Sequence, residues 1–306
     1  MRNIALIPLC LILLITCLSS VNLYAQEEAA AEEPAPDPLW KRKLIFSFNF
    51  NQSAFSSNWK AGGINSVGFN SLLNYKANYK KDNNSWNNEF DFLYGFVNNE
   101  GQGYRKTLDR VFIDSRYGRK VNEKWDMTIA GNFITQFTAG YNYATEPELL
   151  ISDLFAPAFL TASVGFENKP NDFFRVRLSP FAPRITIVRD VERFITAESP
   201  TPFGVQPGEN ARYEWLAAQI LAEFNKDIVE NVNLKWRYIL FANYEELAFN
   251  KLDHRLDLNI TAKIAKYFNV SLGAIMLYDF DQDDKVQYSQ AFSFGFLYTL
   301  QNFAEK

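Results

Sequence analysis

This 306-residue chain has a single histidine, His254, so any histidine-based acid or base chemistry would have to run through it. An envelope lipid hydrolase would pair such a base with a nucleophile in hydrogen-bonding reach. No serine lies within several residues of His254, which alternates with Leu252 and Leu256 on an apolar face. That placement suits a rim side chain better than a catalytic one, although chain spacing does not report partners on neighbouring strands. A second candidate is "YDFDQDDK", where Asp279, Asp281 and Asp283 offer oxygens at the spacing of a calcium loop. The glycine and glutamate such a loop requires are replaced by Asp284 and Gln290. The bland reading is a solvated acidic loop tip.

The third candidate is a ladder of both charge signs: Glu89, Asp91, Asp114, Arg116, Arg175, Arg177, Lys235, Arg237, Asp253, Arg255 and Asp257. Each falls on the polar side of an alternating segment. On the inner wall of a channel, opposed acidic and basic rows would orient a passing solute and set charge preference. They would equally well pair with one another and fill the interior.

The elements that would position these residues follow a period of two. In "LDHRLDLNITAKI", Leu252, His254, Leu256, Leu258, Ile260, Ala262 and Ile264 alternate with Asp253, Arg255, Asp257, Asn259, Thr261 and Lys263. A helix would scatter the two sets; a strand puts each on one face. Similar runs begin at Leu44, Phe69, Trp86, Val111, Trp125, Leu160, Phe174, Leu216, Val232, Val270 and Phe292, which predicts about twelve strands. Pro180 and Pro183 interrupt the seventh. The last alternates Phe292, Phe294, Phe296, Tyr298 and Leu300 with Ser293, Gly295 and Thr299.

Connections alternate as well. Tight turns are expected at "KKDNN", "KVNEK", "NKPND", "KDIVEN" and "AKYF". Longer ones are expected at "NQSAFSSNWKAGG", "NNEGQGYRK", "GYNYATEPELLISDLFAP", the run around "ESPTPFGVQPGENAR", "EELAFN" and "DFDQDDKVQ". The "GQG" and "AGG" glycines are turn residues, since neither follows a strand and opens a helix as a phosphate loop does. Short turns at one end and long loops at the other describe an all-β, single antiparallel up-and-down transmembrane barrel, with periplasmic turns and extracellular loops. A soluble lipocalin-like barrel is the alternative. Against it stand Trp86, Trp125, Tyr278 and Tyr298 near strand ends, where an interfacial girdle belongs. Strands well beyond the usual length of about 5 or 6 residues also disfavour it.

Ahead of the strands, Arg2, an apolar run from Ile4 to Leu18 and small residues up to Ala25 read as a signal peptide over residues 1–25. Lipidation at Cys17 is an alternative, made poor by Thr16 before it. Residues 26–38 form an acidic Ala/Pro tether, and 39–306 the barrel. Both cysteines, Cys10 and Cys17, lie in the leader, so the mature chain would carry neither disulfide nor thiol ligand. Removing the leader with Arg2 changes 31 basic and 35 acidic residues to 30 and 35, a balance that attracts no nucleic acid.

Several segments resemble a family of Bacteroidota proteins defined only as domain of unknown function 3078. They are "NWKAGGINSVGFNSLLNY", "WNNEFDFLYGF" leading into "YRKTLDR", "TQFTAGYNY", "ISDLFAPAFLTASVGFENKP", "LSPFAPRITIV", "FANY" and "LYDFDQD". The resemblance implies an envelope protein of that phylum and brings no catalytic motif. The expectation is therefore an outer-membrane barrel acting as a narrow passive channel for small polar solutes, needing no cofactor. Its partners would be membrane lipid, lipopolysaccharide and the outer-membrane assembly machinery. A non-conducting structural, adhesion or receptor barrel is the alternative.

Overall fold

The computed structural model describes residues 38–56, 60, 63–197 and 199–303. The signal peptide and all but the last residue of the tether fall outside the described residues. Among the described residues, sixteen strands occur in chain order. They are β1 Trp40–Ser53, β2 Ser66–Lys81, β3 Asn84–Asn99, β4 Gly103–Lys120, β5 Trp125–Thr135, β6 Gly140–Asn142, β7 Leu149–Ser152 and β8 Ala158–Asn168. There follow β9 Phe174–Phe181, β10 Arg184–Ile187, β11 Ala211–Glu214, β12 Ala217–Val229, β13 Val232–Asn243, β14 Asp253–Ala265, β15 Phe268–Asp279 and β16 Asp283–Gln301.

Twelve of these close into a ring, in the order β1, β2, β3, β4, β5, β8, β9, β12, β13, β14, β15, β16. All neighbours are antiparallel, and β16 returns to β1 with Leu44 opposite Leu300, Phe46 opposite Tyr298 and Phe48 opposite Phe296. The chain is thus a closed up-and-down barrel, in which β16 runs on beyond its pairing with β1. The four-residue β10 and β11 extend the seventh and eighth staves beyond an interruption. There Ala182 N–H donates to the Ala217 carbonyl at 2.7 Å, and Ala162 N–H to that of Pro183 at 3.0 Å. A proline is tolerated because its missing donor falls at a break in the ladder. The seventh strand is interrupted at the prolines, as expected, and resumes after them as β10.

The predicted alternation is realised. Phe292, Phe294, Phe296, Tyr298 and Leu300 point outward and exposed, with Phe292 at 69 %. Outward rings gather near both rims. Trp40 meets Tyr79 and Trp86 at 5.2 and 5.8 Å at the short-turn end, and further along the outer face Phe224 stacks on Trp236 at 5.9 Å. At the other end Phe69 meets Phe50 and Phe96 at 5.2 and 5.6 Å. Such pairs add to simple area burial.

The tight connections are as expected. The β2–β3 turn places Asp82 at φ 51° and the β12–β13 turn places Asn231 at φ 64°, a left-handed conformation open to Asp and Asn. Two segments expected as longer loops are not. Pairing of β3 with β4 runs to Asn99 opposite Gly103, and that of β15 with β16 to Asp279 opposite Asp283. The glycines and aspartates that suggested open loops instead turn hairpins that stand above the rim. Two long connections do fold over the mouth. Ala156 packs with Val188, Val191, Phe194 and Val205 into a small apolar core, flanked by Leu150 and Phe203. This lid is the largest apolar cluster away from the barrel's outer surface.

Candidate functional site

All eleven ladder residues lie on strands and project inward, and ion pairs join them across the lumen. Glu89 on β3 and Arg237 on β13 stand half a ring apart, yet Arg237 Nη2 donates to Glu89 Oε2 at 2.5 Å. The two side chains bridge opposite walls. Arg237 also reaches Glu223 at 2.7 Å and lies 4.1 Å over the ring of Phe112. Lys235 and Lys76 approach Glu89 at 3.3 and 3.6 Å, and Arg175 pairs with Glu223.

Nearer the long-loop end, Arg110 on β4 bridges Asp91 on β3 and Asp257 on β14, both at 2.8 Å. Arg255 joins Asp257 at 3.1 Å. Arg184 pairs with Asp253 and Glu214, both at 2.6 Å, while its guanidinium lies 3.7 Å over Phe241. Between β4, β8 and β9, Arg177 donates to Asp114 at 2.9 Å and Arg116 pairs with Glu167. Burial of these groups is tolerable only because each charge has a partner.

The inner face of β5, β8, β9 and β12 is closed. Thr128, Asn132, Thr161, Ser163, Arg177, Ser179 and Gln219 are all buried there, and Asn132 Nδ2 donates across to Gln219 at 3.1 Å. Gly165 on β8 lets β9 lie close at the break in their pairing, since a Cβ there would collide with the Leu178 carbonyl and the Ser179 backbone. The inner face of β1, β2 and β14 to β16 instead borders a cavity of about 710 Å³. Asn70, Asn74, Asn259, Ser271, Ser293 and Thr299 line it, and it runs to the short-turn end past Lys43, Asp227 and Lys263. A smaller chamber of about 130 Å³ lies toward the lid, bordered by Asp109, Asn132, Gln136, Phe159 and Arg184. Arg110 lines both. Its ion pairs form a septum between two chambers.

The ladder was legible from alternation, but half of its partners were not. Arg110, Glu167, Arg184, Glu214 and Glu223 share the inward set and could have been found by extending each strand's period. Phe112 and Phe241 could not, because an inward aromatic breaks the rule that separates the two faces.

The two remaining candidates resolve differently. Tyr238 and Tyr278 flank His254 on the outer surface, with ring centroids at 6.1 and 6.3 Å, and the Tyr238 hydroxyl meets His254 Nδ1 at 2.7 Å. That is the expected rim position. Asp279 accepts hydrogen bonds from Gln282 Nε2 at 2.6 Å and from Asp281 N–H at 3.0 Å. Asp281 turns to Arg212, and Asp283 accepts from Lys285 N–H at 2.8 Å. The three carboxylates do not converge, and among the described residues no group of three potential ligands could hold a metal.

In the lid, outside the strands, Asp153 accepts from Arg193 Nη1 at 2.9 Å and from Leu154 N–H at 2.8 Å. Burial acts to raise this carboxyl. The hydrogen bonds and the charges of Arg193 and Arg189 outweigh it and hold the group below the ordinary carboxylate range.

A family model described as a protein of unknown function (DUF3078) matches residues 50–141, from the end of β1 to β6. It contains the segments "NWKAGGINSVGFNSLLNY", "WNNEFDFLYGF" and "YRKTLDR" and all but the last two residues of "TQFTAGYNY". No curated protein matches. Solved structures similar to this chain include an outer-membrane channel from Pseudomonas putida F1, 10 % identical, with a TM-score of 0.38 and coverage of 90 % of this chain and 100 % of that one. The NanC porin is 7 % identical, with a TM-score of 0.39 and coverage of 83 % and 98 %. The translocator domain of the autotransporter NalP from Neisseria meningitidis is 8 % identical, with a TM-score of 0.33 and coverage of 87 % and 90 %.

Proposed function

We propose that the protein is an outer-membrane barrel acting as a narrow passive channel for small polar solutes, closed at rest by its ion-pair septum. A closed ring gives each stave a neighbour on both sides, which is what a sheet needs in hydrocarbon, and its outer face is apolar between two aromatic rims. The short-turn end then faces the periplasm and the lid faces outward. Lipid and lipopolysaccharide would surround the barrel, and the outer-membrane assembly machinery would insert it. The observation that carries the channel reading is the cavity of about 710 Å³, which is lined from Lys43 and Lys263 near the short-turn end to Leu108 and Arg110, where it meets the smaller chamber. A barrel with a purely structural interior would have no use for it. His254, hydrogen-bonded in an outward aromatic cluster, supports no hydrolytic step.

The second reading, a non-conducting barrel that binds a partner or stabilises the envelope, is favoured by the Glu89–Arg237 bridge between opposite walls. Single-channel conductance in planar bilayers separates the two. The channel reading expects small, infrequent steps from the wild type and at least several-fold more open time from Arg110→Ala. A heat-resistant, protease-resistant protein that stays silent in both forms would move the assignment to the non-conducting barrel.

A further inference from the structure

At the long-loop end β4 outlasts its neighbour. Its pairing with β5 ends at Val111 opposite Thr135, so residues 103–110 have no ladder partner on that side among the described residues. The β6–β7 hairpin fills the flank. Lys106 N–H donates to the Tyr143 hydroxyl at 3.1 Å and Lys106 Nζ to the Thr138 carbonyl at 2.7 Å, which fixes that hairpin against β4. Between the β3–β4 and β6–β7 hairpins lies a cleft of about 430 Å³, a size ordinary for a small-ligand site. Phe96 and Tyr104 line it from one side, with ring centroids 5.6 Å apart, and Tyr141 and Tyr143 from the other, 6.4 Å apart.

Two charged groups in this cleft are left without partners. The Arg105 guanidinium lies 4.9 Å over the Tyr143 ring, and its Nε is buried with no hydrogen bond. Glu148 borders the same space, and among the described residues neither side chain enters an ion pair or a hydrogen bond. The other charge in the lining, Lys106, is held by Asp109 at 2.9 Å. The cleft therefore offers one free cation and one free anion, with no surplus of either sign.

That balance decides between ligand classes. An anion would meet Glu148, and a cation would meet Arg105. A wholly apolar ligand would shut Arg105 Nε away from water and leave a buried donor unmet. A saccharide suits every part of the wall. Its C–H faces lie against aromatic rings, while its hydroxyls accept from the guanidinium fork and donate to the carboxylate. Tyrosine adds a large, rigid, amphipathic contact at small entropic cost.

We infer that this cleft binds a neutral pyranose saccharide, with Tyr104 and Tyr141 stacking on the ring and Arg105 and Glu148 holding its hydroxyls. The site lies outside the lumen and stands whether or not the barrel conducts. In the orientation proposed above it faces outward, where such a saccharide is offered either by the lipopolysaccharide of the same membrane or by free glycan in the medium.

The test is saturation-transfer NMR on the purified full-chain protein in lauryldimethylamine oxide, a detergent without sugar. The probes are cellotriose and the dephosphorylated core oligosaccharide of lipopolysaccharide from the cells that make the protein. Ring protons of at least one probe should saturate. Tyr104→Ala with Tyr141→Ala should lower that signal about fivefold, as loss of aromatic anchors does. Tyr104→Phe with Tyr141→Phe should keep more than half of it, and Arg105→Ala should lower it about threefold with all the rings in place. If the alanine pair fails to fold, Tyr104→Ala alone should still halve the signal, since Tyr104 is 72 % exposed and its removal leaves the barrel intact. Binding of the core oligosaccharide alone assigns the site to the surrounding membrane, and binding of cellotriose assigns it to free glycan. Saturation of neither probe, or a signal indifferent to the alanine substitutions, overturns the inference. So does a cellotriose signal that vanishes at high ionic strength, because a neutral ligand in a cleft without net charge should be insensitive to salt.

Discussion

Arg237 shows what a single inward side chain does in this barrel. Its guanidinium lies 2.5 Å from Glu89, 2.7 Å from Glu223 and 4.1 Å over Phe112, so removing it leaves two carboxylates facing each other among buried groups. Breaking one side of a buried pair costs about 3 to 5 kcal/mol. Arg237→Ala should lose stability on that scale in urea unfolding from lipid vesicles. A loss below about 1 kcal/mol, the worth of an exposed pair, would mean that water screens the network. Outward residues follow another rule. Leu258 sits beside Trp236 in the ladder and shares its face, while Asn259 borders the cavity. Leu258→Arg should cost about 2 to 4 kcal/mol if the position lies near the bilayer midplane. Asn259→Arg should cost far less in the same assay, and equal costs would contradict the assigned facing.

At the scale of elements, the strands were legible because alternation is a one-dimensional signal. "LDHRLDLNITAKI" and "AFSFGFLYTL" state their facing without any knowledge of neighbours. What stayed illegible depends on contacts between distant segments. The second half of the seventh stave was hidden because only Ile185 and Ile187 follow the interruption at Pro180 and Pro183, too short a run to show a period. The lid was hidden because Val188, Val191, Phe194 and Val205 follow no regular period and acquire a core only by meeting Ala156. That lid has a hydrogen-bonded seam, with Asp153 and Ala156 exchanging backbone bonds at 2.8 and 2.9 Å, and Arg189 N–H donating to the Phe155 carbonyl at 2.8 Å. Asp153 clamps the seam through Arg193. Because its folded-state carboxyl is held below the ordinary value, its contribution is complete above the unfolded-state pKa and is lost as pH falls through the folded one. The protection of the amides around 153–156, with exchange rates corrected for their intrinsic pH dependence, should therefore fall on acidification below about pH 4, the unfolded carboxylate range. Asp153→Asn should exchange faster at neutral pH and lose that dependence. A variant that keeps the wild-type acid response would assign it to another group.

At the scale of the whole molecule, closing twelve strands solves the edge problem and creates a new one, an interior that must be filled or used. The chain divides the task. Under β5, β8, β9 and β12 the interior is packed with buried polar side chains, and under β1, β2 and β14 to β16 it is left as a cavity. The charge ladder lies largely along the boundary, with Glu89–Arg237 and Arg110–Asp257 spanning from wall to wall. Sidedness follows from this layout. The chamber bordered by Gln136 belongs to the lid end and the cavity bordered by Ser293 to the short-turn end. Cysteines introduced there have no natural competitor among the described residues, since Cys10 and Cys17 both precede them. A membrane-impermeant thiol reagent added outside intact cells, read by the mass of the labelled peptide, should modify Gln136→Cys and spare Ser293→Cys. The same reagent should modify Ser293→Cys once the outer membrane is made permeable. With Arg110→Ala added, Ser293→Cys should become reactive from outside, because the septum that Arg110 holds between Asp91 and Asp257 would have lost its bridging cation. Labelling of Ser293→Cys as fast as Gln136→Cys in intact cells with Arg110 present would mean that the two chambers communicate and that the septum does not close the lumen.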